Sequence, residues 1–145
     1  MIVNVETTDT YEAGDGSGVV VPIDRFGGNK DTGKKTEDGK SIIKATQHID
    51  TKSSKRADFF GEPGDTMIHT VTEGYEGSKI SQEKGYKNIG TSDSNSRSKA
   101  VYDAAHDAAV PVTYKLSISP PKNGRSRIYV NGVYINKTIP NPKKK

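Results

Sequence analysis

The pattern of apolar residues changes its period twice along the chain, and this change constrains the fold more than any other feature. Before Pro63 the apolar residues form short β-like runs, from Pro63 to about Ala109 they recur at spacings of three and four, and after Pro111 the β-like runs return. Spacings of three and four are typical of amphipathic helices, whereas β-branched and aromatic runs are typical of strands. The sequence therefore predicts an α+β fold.

Two short strands are predicted near the N-terminus. The runs VVVPI, residues 19–23, and SIIKATQHID, residues 41–50, are rich in β-branched side chains. The sequence between them is rich in Gly, Lys and Asp, which is typical of a mobile connection. Residues 1–18 are expected to form a loose end.

A three-stranded antiparallel meander is predicted at the C-terminus from the runs VTYKLSI, RIYV and VYIN. Asn131-Gly132 separates the last two runs, and this dipeptide favours the positive φ angles of a two-residue hairpin turn. Residues 140–145 are expected to form a second loose end. Because the chain has 145 residues and is only 30% hydrophobic, residues 1–145 are expected to form a single small domain.

Two helices are predicted between these β segments. The first should begin after Pro63 with Asp65 or Thr66 as its cap, and it should end near Gly77 because glycine weakens helices. The second covers RSKAVYDAAHDAA and stops before Pro111. Each helix carries one apolar stripe, and we expect the stripes to pack together in a two-helix hairpin. The expected core residues are Met67, Val71, Tyr75, Val101, Ala104, Ala105 and Ala108.

A metal site is predicted on the polar side of this hairpin. His69 and Glu73 are four residues apart and share one helix face, and imidazole and carboxylate ligands at this spacing can bind one divalent ion. His106, on the second helix, is the predicted third ligand. The expected cofactor is zinc or another divalent metal. Alternatively, His69 and Glu73 form an ordinary surface pair, and His106 is a partly buried histidine bonded to Tyr102 or Asp103.

Hydrolysis at such a site would also need a general base. Metalloproteases with an H-E-x-x-H motif place a glutamate directly after the first histidine. Position 70 is a threonine here, and its hydroxyl cannot accept a proton at neutral pH. Glu76 and Asp103 are the nearest candidates for the base; otherwise the site binds an ion without turning over a substrate.

The segment FFGEPGDTMIHTVTEGYEGSKIS, followed about twenty residues later by YDAAHDAA, resembles the tail domains of bacterial RHS/YD-repeat polymorphic proteins. In those domains a His-Glu-x-x-Glu helix precedes an Ala-His helix. The resemblance covers residues 59–109 and points to His69, Glu73 and His106, while Thr70 departs from the expected glutamate. It implies an effector or toxin that remains in the bacterial cytoplasm until a larger carrier protein delivers it, and that is paired with an immunity protein.

Membrane and nucleic-acid partners are not expected from the sequence. There is no apolar run of about 18 residues and no apolar leader, so neither a membrane span nor a signal peptide is predicted. The basic clusters NKDTGKKTEDGK and Lys143 to Lys145 contain no aromatic residues, which a nucleic-acid binder would interleave with its cations.

The sequence leaves two alternative functions open. The first is a basic nuclease toxin that uses His48 and Asp50 with the nearby Lys44 and Lys52. The second is a non-catalytic binding or structural module that pairs with a partner through the edge of the meander.

Overall fold

Two β-sheets and three helices make up residues 1–9, 12 and 20–140, the part of the chain that the computed structural model describes. The predicted α+β fold is confirmed, including the C-terminal antiparallel meander. No helix in this part of the chain is long and apolar enough to cross a membrane. The elements in chain order are β1 (Ile2–Thr8), β2 (Asp24–Lys35), β3 (Ser41–Asp50), α1 (Thr51–Asp58), α2 (Asp65–Lys84), β4 (Asn88–Ile89), α3 (Ser96–Ala108), β5 (Leu116–Ile118), β6 (Arg125–Val130) and β7 (Val133–Pro140).

The N-terminal sheet has the strand order β1-β3-β2-β4, with β1 parallel and β2 antiparallel to β3. β3 is confirmed, but the strand predicted at residues 19–23 is wrong. Val20 makes only an isolated bridge to Glu12, and Val19 lies outside the described residues. The strand is β2 instead, within the sequence predicted to be a mobile connection. Its Gly, Lys and Asp residues are specified as a strand by backbone pairing with β3 and not by apolar side chains.

The chain ends also differ from the expectation. Residues 2–8 are not a loose end, because β1 pairs with β3 from Ile2 opposite Lys44 to Thr8 opposite Asp50. At the other end, Pro140 closes β7, and residues 141–145 lie outside the described part. The hairpin turn between β6 and β7 is as predicted, with φ angles of 50° at Asn131 and 80° at Gly132.

α2 lies with its polar face inward, which overturns the predicted core. Met67, Ile68, Val71 and Tyr75 are between 38% and 49% exposed. The buried face instead consists largely of small and polar residues, namely Asp65, Thr66, His69, Thr70, Glu73, Gly74, Gly77, Ser78 and Ser81. Hydrophobic periodicity identifies residues that share a face, but here the side of the helix that fits the sheet is the one with small side chains.

Gly74 and Gly77 allow α2 to approach the sheet, and the helix continues through both glycines to Lys84. A Cβ atom at Gly74 would lie 2.9 Å from Val3 Cγ1, and one at Gly77 would lie 3.0 Å from Phe26 Cε2. The prediction that the helix ends near Gly77 is therefore wrong. The predicted side-chain caps are wrong as well, because the N-cap is Gly64, and Asp65 and Thr66 are helical residues that bond to other elements.

α3 packs against α2 through part of the predicted face, since Val101 and Ala105 are buried whereas Ala104 and Ala108 are exposed. The apolar core is therefore assembled elsewhere, in two clusters. One lies between α1 and the meander and includes Ile23, Ala57, Tyr114, Ile128, Val130 and Ile135. The smaller cluster contains Phe26 and Ile89 from the sheet and Val101 from α3.

A buried ion pair joins the meander to the N-terminal sheet. Lys137 on β7 and Asp50 at the end of β3 are both fully buried, with Lys137 Nζ 2.5 Å from Asp50 Oδ2. The same ammonium group donates to the backbone carbonyls of Val21 and Pro22. Asp50 also caps α1, accepting hydrogen bonds from the backbone N–H groups of Lys52 and Ser53. The sequence analysis did not predict α1. Its N-cap, Asp50, is also the last residue of β3, so the sequence around it indicates a strand.

The orientation of α2 predicts that a leucine destabilises the protein at position 74 but is tolerated at the neighbouring position 75. Gly74→Leu should lower the free energy of unfolding by about 1–3 kcal/mol through overpacking against Val3 and Gln47. Tyr75→Leu, on the exposed face, should change it by no more than about 0.5 kcal/mol. Chemical denaturation of both variants measures the difference. Greater destabilisation by Tyr75→Leu would show that the apolar stripe faces the core.

Candidate metal centre

The packing of α3 against α2 brings His69, Glu73 and His106 together. His106 Nδ1 lies 2.8 Å from Glu73 Oε2, and His69 Nε2 lies 3.3 Å from the same oxygen. The two imidazole rings are in edge-to-face contact, with their centroids 4.8 Å apart. One ligand atom from each residue lies within 4.8 Å of the other two, so the cluster could hold a metal ion.

Glu73 is the centre of the cluster and is only 2% exposed. Its second carboxylate oxygen, Oε1, accepts a hydrogen bond of 3.1 Å from Gln47 Nε2 on β3. The same amide group donates to the backbone carbonyl of Thr70 at 2.9 Å, which fixes its orientation. Desolvation raises the pKa of Glu73, but hydrogen bonds from His69, His106 and Gln47 outweigh it and hold the pKa below its usual value. The carboxylate is therefore charged and oriented by the fold.

His69 is held in one ring orientation by the backbone after α3. Its Nδ1 lies 2.8 Å from the carbonyl oxygen of Val110, and because a carbonyl only accepts, Nδ1 must carry the hydrogen. Val110 is itself fixed, since its N–H donates to Thr72 Oγ1. The hydrogen bond to Glu73 raises the pKa of His69 against the opposing effect of desolvation. His69 Nε2 facing a carboxylate thus requires either a proton or a cation between the two groups.

His106 connects the cluster to solvent. Its side chain is about half exposed, whereas those of His69 and Glu73 are almost fully buried. The imidazole packs against Tyr102 on α3, with ring centroids 5.5 Å apart. His106 Nδ1 points at the buried carboxylate of Glu73 from the solvent side of the cluster.

A cavity of about 440 Å³ opens beside the two histidines. Its wall is partly apolar, with Ile23, Pro111, Val112 and Leu116, and partly acidic, with Asp24 and Asp107. It is large enough to admit a small molecule or a side chain of a larger substrate. The protein therefore has a polar cluster at the wall of an accessible cleft.

Asp24 is one of two acidic residues of this cavity, and the sequence did not point to either of them. It lies at the start of β2, and the hydroxyl of Thr70 donates a hydrogen bond of 3.0 Å to its Oδ2. Burial raises the pKa of the Asp24 carboxyl, and the charge of Glu73 raises it further against the influence of His69 and the bond from Thr70. Thr70, which replaces the expected glutamate, thus holds a carboxylate that comes from another element.

The two predicted bases do not line this cavity. Asp103 is exposed and pairs with Lys99 at 2.6 Å, and Glu76 pairs with Lys79 at 4.0 Å. The alternative of an ordinary surface pair is also wrong, since His69 is 7% exposed and Glu73 is 2% exposed. His106 bonds to Glu73, and not to Tyr102 or Asp103 as the alternative had it.

His48 and Asp50, the pair considered for a nuclease, are buried in the structure. His48 Nδ1 lies 3.3 Å from Glu6 Oε2 on β1, and its ring closely approaches Gly27. Asp50 is engaged by Lys137 and by the N-terminus of α1. The assumption that these residues lie on a solvated strand face is wrong, because His48 lies against Glu6 of β1 and Gly27 of β2, and Lys137 of the meander covers Asp50.

The two shifted pKa values predict how the metal-free cluster responds to pH. His69 titrates above its usual 6.5, so its contribution to stability is complete below about pH 6.5 and is lost as the pH rises through the raised value. Glu73 titrates below its usual 4.5, so its contribution is lost as the pH falls through the lowered value. Denaturation in the presence of a chelator should show the largest difference between wild type and His69→Gln between these limits. A difference that is independent of pH would contradict the ion pair.

Comparisons with protein-family models, curated proteins and solved structures give no match for this chain. What this site can bind is therefore inferred from its residues and their geometry alone.

Proposed function

We propose that this chain is a metal-dependent hydrolase domain that binds a divalent ion, zinc in the first instance, through His69 Nε2, Glu73 Oε2 and His106 Nδ1. One observation carries the proposal: two imidazole nitrogens converge on one buried carboxylate oxygen at 2.8 and 3.3 Å. Two ligand atoms bound to one zinc ion at bond lengths of about 2.1 Å lie about 3.4 Å apart in tetrahedral geometry. The distance from His69 to Glu73 is close to that spacing, and the distance from His106 to Glu73 must lengthen by about 0.6 Å to accept the ion.

The surroundings of the ligands support a metal site as well. Histidines that bind metals usually donate their other ring N–H to a carbonyl or carboxylate, and His69 does so to Val110. The free oxygen of Glu73 is oriented by Gln47 in the same way. Three protein ligands leave one position of a tetrahedral ion for water, which is the arrangement of catalytic zinc sites. The adjoining cavity gives that position a route for substrate.

When bound, the ion supplies Lewis acidity and lowers the pKa of a coordinated water molecule. Asp24 is the residue that we assign to proton transfer, since it lines the same cavity as His69 and His106. Thr70 positions this carboxylate through its hydroxyl group. In this assignment the base comes from β2, and the threonine next to His69 does not make the site inactive.

The wider role that we propose is that of an effector or toxin-like domain, delivered by a carrier protein and neutralised by an immunity protein. This proposal is supported by the resemblance of residues 59–109 to RHS tail domains, which contains the same three ligands. Expression of the domain inside bacteria should slow their growth, and Glu73→Gln should remove the effect. Growth inhibition that persists in Glu73→Gln would separate toxicity from this site.

Metal binding is tested by thermal and chemical unfolding of chelator-treated protein with added zinc. A ligand that binds only the native state stabilises it by RT ln(1 + [L]/Kd), or about 2.7 kcal/mol at a hundredfold excess over Kd. The gain should be larger at pH 8 than at pH 6, because the histidine ligands must lose their protons. His69→Ala combined with His106→Ala should abolish it.

His48→Ala is the matched control, because the chain has 3 histidines and His48 is the one outside the cluster. This variant should keep the full gain from zinc. Asp24→Asn should also keep the gain but lose zinc-dependent hydrolysis in a panel of peptide, ester and phosphodiester substrates. An equal gain in wild type and in the double histidine variant would disprove the metal site.

A further inference from the structure

A second functional surface runs from the outer face of the meander around its edge strand β7 to the end of α1, where Tyr134 and Phe59 line one cavity. We call it the basic aromatic face and define it by Arg125, Arg127, Tyr129, Tyr134, Lys55 and Phe59. None of these residues lines the cavity beside the histidines. This surface is therefore separate from the site of the proposed hydrolase function.

Strand β6 supplies cations and an aromatic ring to one side of the meander. Arg125 and Arg127 are exposed and Tyr129 is half-buried, while the alternate residues Ser126, Ile128 and Val130 are buried. Because successive side chains of a strand point to opposite faces, the two guanidinium groups and the phenol lie in one row. Arg125 and Arg127 share a cleft with Tyr129 and Lys122.

Strand β7 extends this row with a second tyrosine. Tyr134 pairs with Tyr129 across the hairpin, with ring centroids 5.8 Å apart. The guanidinium carbon of Arg127 lies 5.3 Å from the centroid of the Tyr134 ring, within the range of a cation–π contact. Two guanidinium groups thus lie next to two aromatic rings on the sheet, a combination that the lysine runs of the sequence do not show.

Phe59, at the end of α1, is the most exposed large apolar side chain of the described residues, at 83%. It lines a cavity of about 430 Å³ together with Lys55 and Tyr134. Its ring contacts Phe60 edge to face, with centroids 5.3 Å apart. An exposed phenylalanine beside two cationic side chains, Lys55 and Arg56, offers a ring face for stacking.

The charge of this part of the chain is strongly one-sided. Residues 108–140 contain 5 Lys and Arg residues and no Asp or Glu, and four of these cations lie on the surface because Lys137 is buried against Asp50. Residues 51–56 of α1 add three cations and no acid. The nearest acidic residue at the end of this helix, Asp58, accepts hydrogen bonds from Thr66 and is directed towards α2. The partner of this face should therefore be an anion.

We propose that the basic aromatic face binds single-stranded nucleic acid, with phosphates on Arg125, Arg127 and Lys55 and bases stacked on Phe59 and Tyr134. Single strands are bound by surfaces that combine a cationic track with aromatic platforms, since every base has a face that can stack. An acidic protein would match the cations, whereas a single strand matches the cations through its phosphates and the exposed rings of Phe59 and Tyr134 through its bases. The combination of both features favours nucleic acid.

Fluorescence anisotropy with a labelled oligothymidylate of about 12 nucleotides tests this proposal at several salt concentrations. Phe59→Ala should weaken binding about fivefold or more through the loss of one stacked base. It should remain folded because the side chain is exposed. Arg125→Gln combined with Arg127→Gln should reduce the slope of log K against log salt by about 1.4.

Lys34→Gln combined with Lys44→Gln is the matched control, because it removes two exposed cations from the N-terminal sheet. It should retain the salt slope and affinity of the wild type. Unchanged binding by Phe59→Ala, or an equal loss in the control, would overturn the proposal. Displacement of the oligonucleotide by polyglutamate at matched charge concentration would also overturn it and identify an acidic protein as the partner.

Discussion

The burial of one charged side chain, Glu73, is the constraint on which the rest of the structure depends. A carboxylate removed from water is unfavourable unless it is paired and hydrogen-bonded. Here His69, His106 and Gln47 provide those partners from α2, α3 and β3. The inner face of α2 must therefore carry polar and small side chains, and its apolar residues remain on the exposed face. The position of α3 is set by the contact of His106 with the carboxylate. Val110 and Thr72 then fix the chain that leaves α3.

The sequence predicted features that depend on local spacing. The Asn131-Gly132 turn requires only two residues, and the convergence of His69, Glu73 and His106 follows from a four-residue spacing on one helix and an antiparallel neighbour. The orientation of α2 could not be predicted in the same way. Periodicity does not determine which face of a helix is buried when the sheet favours small side chains. From the sequence alone Gly74 predicts a weak helix, whereas in the structure it provides the space that Val3 requires.

Long-range pairing accounts for the other differences. β2 forms a strand although its side chains are largely polar, because its backbone pairs with β3. Asp24 accepts a hydrogen bond from Thr70, which is 46 positions away in the chain. Lys137 joins the meander to Asp50 across 87 positions, so a residue that looks like surface charge is fully buried. The cavity beside His69 and His106 and the basic aromatic face are built on different elements of one fold. A substrate bound by one would not displace the residues of the other.

Whether His69, Glu73 and His106 bind a metal is measured most directly by a crystal structure of the protein with zinc, recorded at the zinc absorption edge. We expect one anomalous peak about 2.0–2.2 Å from His69 Nε2, Glu73 Oε2 and His106 Nδ1. Val110 should still accept the hydrogen bond from His69 Nδ1. A fully occupied zinc ion elsewhere, with the Glu73 oxygen still hydrogen-bonded directly to both histidines, would contradict it.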